Sequence, residues 1–169
     1  NCIVTIVVND YDGFIQNGKD SSDGYENIII KNIQIGESGN TDTNSLTNGS
    51  GWIGQKYFGK NVSGCEINNS SNYYTISQNG GGILGSYSRA SVTNCKNYGN
   101  IGQNGGGIYG SYANSSSVYN ICSASECINY GNIDSFGGGI YGSNANDGAT
   151  HSTCMASNCS SSGEINESA

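Results

Sequence analysis

The chain has 169 residues, with 27 glycines, no proline and a net charge of −7, and its length suits one domain. Only six residues are Lys or Arg, which disfavours binding to nucleic acid or to an anionic membrane surface. No run of about 18 apolar residues occurs, so we expect no membrane-spanning helix. The seven cysteines favour an oxidising, extracellular compartment, and their odd number leaves at least one thiol unpaired or bonded to another chain.

Two β-branched segments, residues 4–8 and 28–35, are the first predicted strands in the chain. Residues 1–48 are predicted to form irregular first turns, and residues 49–169 to contain regular repeats of the same continuous domain. No segment has apolar residues at helical spacing over more than two turns, which favours an all-β chain.

The regular repeat is marked by a cysteine motif. The segments that begin at Cys95 and Cys127 read Cys-X-Asn-Tyr-Gly-Asn-Ile, and the segment at Cys159 keeps the Cys, Gly and Ile positions. Cys65 is interpreted as an earlier copy that carries an insertion and resumes at Ile76. Repetition at a fixed period is typical of solenoid proteins.

A glycine cluster, Gly-Gly-Gly-Ile-X-Gly, follows each motif isoleucine. Segment 49–54 is interpreted as a degenerate copy with Trp52 in the place of the isoleucine. The equivalent isoleucines are predicted to stack into buried columns. They are Ile76, Ile83, Ile101, Ile108, Ile133 and Ile140.

A single repeat carries too few apolar side chains to fold alone, whereas stacking at the strand spacing of ~4.8 Å joins them into a continuous core. We therefore expect an all-β fold, a right-handed parallel β-helix (β-solenoid) of about five rungs, with repeats of about 25–35 residues. The corners would use the Gly and Asn residues, which adopt left-handed backbone conformations readily. An antiparallel β-sandwich is the alternative architecture.

The paired motifs, Cys-X-Asn-X-Gly-X-Ile followed by Gly-Gly-Ile-X-Gly, resemble the glycine-rich GLUG-type repeats of microbial cell-surface proteins. They are also similar to the Gly-Gly-Ala/Ile repeats of chlamydial autotransporters, although this chain lacks the Phe-X-X-Asn motif of that family. The resemblance covers residues 49–165 and implies a parallel β-helix at the surface of a cell or virion, in a bacterium, a protist or a giant virus. It implies no particular activity.

Asn97 and Asn129 occupy the same motif position, and Asn32 is assigned to that position in the first copy. Stacked asparagines bond to one another or to the turn backbone, so these residues are a predicted ladder that fixes the register. The arrangement resembles the asparagine ladder of pectate-lyase-like β-helices.

Tyrosines also recur at equivalent positions. Strand alternation puts the Ile and Tyr of each Ile-Tyr-Gly segment on opposite faces, so Tyr109 and Tyr141 are predicted to be external. Together with Tyr98 and Tyr130 they form a candidate surface aromatic strip. Such a strip either covers the backbone or stacks on sugar rings.

Cys122 and Cys154 each precede a repeat cysteine by five residues, and they occur only in the longer repeats. One hypothesis is a pair of disulfide staples, Cys122–Cys127 and Cys154–Cys159. A second hypothesis is a bond between stacked turns, and a third is buried free thiols. A zinc site that also uses His151 is a less favoured alternative, and no metal or cofactor is predicted.

No catalytic residue is predicted, because the chain has one His and one Arg and no cluster of carboxylates. The leading hypothesis is an extracellular structural or adhesive solenoid. Since the sequence ends within a repeat, we expect it to stack end to end with other copies or to continue in a longer chain. The alternative is a carbohydrate-binding or polysaccharide-cleaving β-helix. Candidate glycosylation sites are Asn48, Asn61, Asn69, Asn114 and Asn158.

Overall fold

The computed structural model describes residues 2–39, 45–118 and 120–166, so the ends of the predicted sections 1–48 and 49–169 lie partly outside the described residues. The described residues form eleven short β-strands and no helix. The strands are β1 (Cys2–Val4), β2 (Ile29–Lys31), β3 (Ile33–Ile35), β4 (Glu66–Asn68), β5 (Ser71–Asn72), β6 (Ser91–Thr93), β7 (Lys96–Asn97), β8 (Ile121–Ser125), β9 (Ile128–Asn129), β10 (Thr153–Ser157) and β11 (Ser160–Ser161).

All strands pair in parallel within two sheets. The odd-numbered strands form a six-stranded sheet in the order β1-β3-β5-β7-β9-β11, and the even-numbered strands form a five-stranded sheet in the order β10-β8-β6-β4-β2. The chain therefore alternates between the sheets, and each return adds a strand beside the previous one. The all-β prediction is confirmed, the parallel pairing is consistent with a parallel β-solenoid, and it argues against the antiparallel sandwich.

One residue in the left-handed backbone conformation lies between the two strands of each repeat. Asparagine is frequent at this corner because its short polar side chain tolerates the conformation. The corner at Asn32 divides the predicted strand 28–35 into β2 and β3. The predicted strand 4–8 is wrong beyond Val4, because β1 ends at that residue. The corner residues are Asn32 (φ 63°), Asn69 (φ 52°), Asn94 (φ 50°), Glu126 (φ 56°) and Asn158 (φ 53°).

The apolar core consists of stacked side chains. Parallel bridges connect Ile76 with Ile101 and Ile101 with Ile133. In the second column the Ile83 N–H donates to the Ile108 carbonyl at 3.2 Å, and the Ile108 N–H donates to the Ile140 carbonyl at 3.1 Å. All of these isoleucines except the half-buried Ile140 are buried, so the columns run through the core.

The degenerate copy is one residue out of the predicted alignment. Ile53, rather than Trp52, belongs to the second column, because its N–H donates to the Ile83 carbonyl at 3.2 Å. Trp52 is fully buried, stacks on Tyr11 at 5.5 Å between ring centroids and meets Tyr74 edge-on at 5.1 Å. The glycine pattern allowed either Trp52 or Ile53 to be aligned with Ile83. The backbone pairing aligns Ile53, and in this register the side chains of Trp52 and Ile53 are both buried.

Candidate functional site

A column of buried asparagines crosses the six-stranded sheet at the ends of β5, β7 and β9. Asn72 Nδ2 donates to Asn97 Oδ1 at 2.9 Å, and Asn97 Nδ2 donates to Asn129 Oδ1 at 2.8 Å. Asn129 Nδ2 donates to Ser161 Oγ at 3.0 Å. The three asparagines are fully buried, so the column links neighbouring repeats where water does not compete for the hydrogen bonds.

The predicted ladder member Asn32 is not in this column. Its position is taken by Ile35, which pairs with Asn72, whereas Asn32 is an exposed corner residue. Sequence reasoning missed Asn72 because the earlier copy was aligned on Cys65. The spacing from Asn72 to Ile76 is the same as that from the later ladder residues to their isoleucines, and this signal identifies the correct alignment.

Two columns of stacked tyrosines lie on the outside of the repeats. Tyr73, Tyr98 and Tyr130 form one column, with centroid separations of 4.4 Å and 4.8 Å and rings within 9° of parallel. The rings cover one another's faces, so the column presents ring edges and hydroxyl groups along its length. A sugar stacks on a ring face. Only the terminal rings of a column leave a face open, and this geometry favours a structural role.

The second outer column was not predicted. It consists of Tyr57, Tyr87 and Tyr112, with centroid separations of 5.0 Å and 5.1 Å. All three have left-handed backbone conformations, with φ between 56° and 64°. The Lys60 ammonium lies over the Tyr57 ring at 5.5 Å and covers its face. The sequence did carry a signal for this column, because each of the three tyrosines stands four residues after an isoleucine of the second column, and Tyr87 and Tyr112 both follow a Gly-Ser pair. The signal was hidden because segment 49–54 was aligned on Trp52 instead of Ile53.

The prediction that Tyr109 and Tyr141 are external is wrong. Tyr109 is fully buried, and its hydroxyl donates to the Ala90 carbonyl at 2.6 Å. Tyr141 is half-buried and stacks on it at 4.8 Å. The backbone bends at residues 107 and 108, so the strand alternation used for the prediction does not apply, and both Ile108 and Tyr109 point inward.

The cysteines form two separate columns. Cys122 and Cys154 are direct neighbours on β8 and β10, and their sulfur atoms are 2.6 Å apart. By strand register Cys65 belongs to this column, with Ala90 between it and Cys122. Cys65 is therefore equivalent to Cys122, and its interpretation as a copy of Cys95 is wrong.

The second column contains Cys95, Cys127 and Cys159, whose thiols donate to backbone carbonyls two residues earlier at 3.3–3.4 Å. Burial raises the pKa of Cys95 to about 12 and that of Cys127 to about 11. The structure does not favour the predicted staples, Cys122–Cys127 and Cys154–Cys159, because the Cys122 sulfur faces Cys154, whereas the Cys127 thiol donates to the Ser125 carbonyl in the other column.

Arg89 lies in the shortest of the regular repeats, which runs from Asn72 to Asn97. The repeat from Asn72 to Asn97 spans 25 residues, whereas the next one, from Asn97 to Asn129, spans 32 residues. The Arg89 side chain is buried and donates to Asn61 Oδ1 in the repeat before and to the Ser115 carbonyl, at 2.9 Å, in the repeat after. Burial lowers its pKa, and Asp23 opposes the shift. The guanidinium thus replaces a missing loop as a bridge between repeats.

The open clefts are small and polar. A cleft of about 230 Å³ beside Tyr57 contains Lys19, Lys56, Asp12 and Asp20. Among the residues that the structure describes, no three His, Cys, Asp or Glu side chains are arranged to hold a metal ion, and this includes the cysteines considered for zinc. No helix in the described ranges is long and apolar enough to cross a membrane.

Four of the five candidate glycosylation sites are exposed, namely Asn48, Asn61, Asn69 and Asn158. The prediction for Asn114 is wrong, because this side chain is fully buried. Its Nδ2 donates to Asn146 Oδ1 at 3.0 Å and to the Asn120 carbonyl at 3.3 Å. The sequon motif alone does not reveal that the amide is used inside the fold.

No known protein family, curated protein or solved structure matches this chain.

Proposed function

We propose that the chain is an extracellular structural or adhesive element, a right-handed β-solenoid of about five rungs that forms part of a surface fibre or filament by end-to-end stacking. The observation that carries this proposal is that, within the described residues, the outermost strands of both sheets pair on one side only. Strands β1 and β2 are the edges at one end, and β10 and β11 are the edges at the other. Open edges present unpaired N–H and C=O groups to another strand.

The terminal edges carry little that would prevent pairing. Strands β10 and β11 contain no charged residue and no proline, and Lys31 is the only charged residue in β1 and β2. Natural edge strands are usually blocked by such residues or by bulges. Beyond β11, Ile165 pairs with Ile133 at the end of the isoleucine column and is 73% exposed. A further repeat would bury this side chain.

The strand register at the two ends supports stacking between copies. By the pairing of successive strands, Cys2 stands in the same column as Cys95, Cys127 and Cys159. If β1 of a second copy adds to β11 in this register, its Cys2 lies beside Cys159 at a strand spacing of ~4.8 Å. That separation is within the Cα range of a disulfide.

Carbohydrate binding is less well supported than a structural role, because ring faces in the tyrosine columns are covered by neighbouring rings. The exposed sequons at Asn48, Asn61, Asn69 and Asn158 are accessible to modification, as expected of a protein on a cell or virion surface.

Electron microscopy and sedimentation velocity of the purified chain over a concentration series test the proposal. We expect linear assemblies that grow with concentration, and mild oxidation should link them through Cys2 and Cys159. Ile165→Asp should shorten the assemblies because it places a charge on the stacking end. A chain that stays monomeric at all concentrations, or that is linked only through other cysteines, contradicts stacking.

Ile121→Asp is the matched control. Ile121 is 60% exposed and lies on the side of the molecule, at the start of β8 rather than on an end strand. Like Ile165→Asp, the substitution Ile121→Asp replaces an isoleucine side chain with a negatively charged one. Assembly should therefore remain at the level of the unmodified chain, and equal losses in both variants would contradict a specific role for the end.

A further inference from the structure

Two thiols from consecutive repeats face each other at the edge of the five-stranded sheet. Cys122 of β8 and Cys154 of β10 are paired in register, and the neighbouring pairs on both sides are also in register. Neighbouring strands are ~4.8 Å apart, within the Cα separation that a disulfide spans. The sulfur atoms are 2.6 Å apart, so the rotamers of both side chains already point at one another.

We propose that Cys122 and Cys154 form a disulfide that clamps the last two repeats together, and that it forms by exchange with a small disulfide such as oxidised glutathione. The proposal concerns a bond within one chain and does not depend on end-to-end stacking.

Cys154 is the attacking thiol in this exchange. It is half-buried and accessible, whereas Cys122 is fully buried. The two sulfurs share one hydrogen bond in which either can donate, and this interaction lowers the pKa of Cys154 and raises that of Cys122. Asn114 and Arg89 lie close enough to contribute, since Asn114 lowers the pKa of Cys154 and Arg89 favours ionisation of Cys122. The thiolate is the nucleophile in such reactions.

The exchange takes place in two steps. The Cys154 thiolate attacks one sulfur of oxidised glutathione, the glutathione S–S bond breaks, and one glutathione leaves as a thiolate that takes up a proton. The Cys122 sulfur then gives its proton to solvent, attacks the Cys154 sulfur and displaces the second glutathione. Two protein thiols are oxidised to one disulfide, and one glutathione disulfide is reduced to two thiols.

Three of the other cysteines, Cys65, Cys95 and Cys127, are poorly placed to compete. Cys65 is separated from Cys122 by a complete repeat, in which Ala90 occupies the position. In the second column, burial holds the pKa of Cys95 at about 12 and that of Cys127 at about 11, so their thiolates are scarce at neutral pH. These three thiols therefore compete poorly with the pair of Cys122 and Cys154.

Peptide mapping without reduction tests the bond directly. The reduced chain is incubated with oxidised glutathione, remaining thiols are alkylated, and disulfide-linked peptides are identified from the monomer band. We expect Cys122 linked to Cys154. Linkage of Cys122 to Cys127, linkage of Cys154 to Cys159, or alkylation of both Cys122 and Cys154 overturns the proposal. Using the monomer band separates this result from the outcome of the stacking experiment.

Thermal unfolding provides a second readout. Cys122 and Cys154 are 32 residues apart, and a loop of that length predicts a rise in Tm of about 10 °C on oxidation. The double variant Cys122→Ser, Cys154→Ser should show no redox-dependent shift, whereas Cys159→Ser should keep it. An unchanged Tm in the oxidised protein, or an equal shift in the double variant, contradicts the clamp.

Discussion

Replacing Asn97 by Ala tests the buried asparagine column at its centre. Asn97 Oδ1 accepts from Asn72 Nδ2 at 2.9 Å and from the Gly99 N–H at 3.3 Å. Its Nδ2 donates to the Gly99 carbonyl at 2.7 Å and to Asn129 Oδ1 at 2.8 Å. All four hydrogen bonds are lost in Asn97→Ala, in a site from which water is excluded.

The size of the effect follows from what is left behind. Asn72 and Asn129 retain their bonds to the carbonyls of Tyr74 and Gly131. The N–H and C=O of the buried Gly99 lose the partner that Asn97 supplies. Each unsatisfied buried group costs about 1–3 kcal/mol, so the free energy of unfolding should fall by about 4 kcal/mol. For a chain of this length the Tm should fall by about 8–16 °C.

Urea denaturation and calorimetry of the reduced protein measure this loss. Asn100→Ala is the matched control, since it deletes the same atoms from an exposed side chain whose Oδ1 accepts from the Asn132 N–H at 3.2 Å. Because water can replace that hydrogen bond, Asn100→Ala should lower the free energy of unfolding by less than about 1 kcal/mol. If Asn97→Ala is no more destabilising than Asn100→Ala, the column is not what fixes the register.

Three further outcomes are expected. The reduced protein should keep its stability up to about pH 9 and lose it as the pH rises toward 12, because Cys95 and Cys127 have pKa values near 12 and 11 in the fold against 9.0 when unconstrained. Denaturation at pH 8 to 11 checks this loss, and an unchanged stability would contradict it. Tyr109→Phe removes a buried hydroxyl whose single proton is within hydrogen-bonding distance of the Ala90 and Ser123 carbonyls, and it should lower the free energy of unfolding by about 1–3 kcal/mol. The substitution Tyr112→Phe, at an outward-facing ring, should leave the free energy of unfolding almost unchanged. Equal unfolding free energies of the two variants would argue against burial of the hydroxyl. Trp52 is the only tryptophan and is fully buried, so its fluorescence should be blue-shifted and should resist acrylamide quenching until the chain unfolds.

The parallel stacking could be predicted because equal residues recur at equal spacing. Ile101 and Ile133 are 32 residues apart, in the repeats whose length does not vary, and these two residues pair as expected. The prediction is wrong where the repeat length changes. Aligning the earlier copy on Cys65 hid Asn72, because Ser70 takes the place of the repeat cysteine there.

The orientation of side chains was harder to predict than their alignment. Alternation between faces requires an extended strand, but many residues of each repeat lie in bends and turns. Tyr109 and Asn114 both point inward from such segments. Tyrosine and asparagine are common on protein surfaces, so residue type also wrongly indicated that Tyr109 and Asn114 are exposed.

The missing loop at Arg89 has a consequence for how this chain tolerates change. The next repeat has seven residues between Asn114 and Cys122, whereas Arg89 and Ala90 are adjacent at the equivalent point. Because the flanking backbone is in the same register in both repeats, the strand pairing accommodates a difference of seven residues in repeat length at this point. Repeats of unequal length can therefore follow one another in this chain while their strands stay paired.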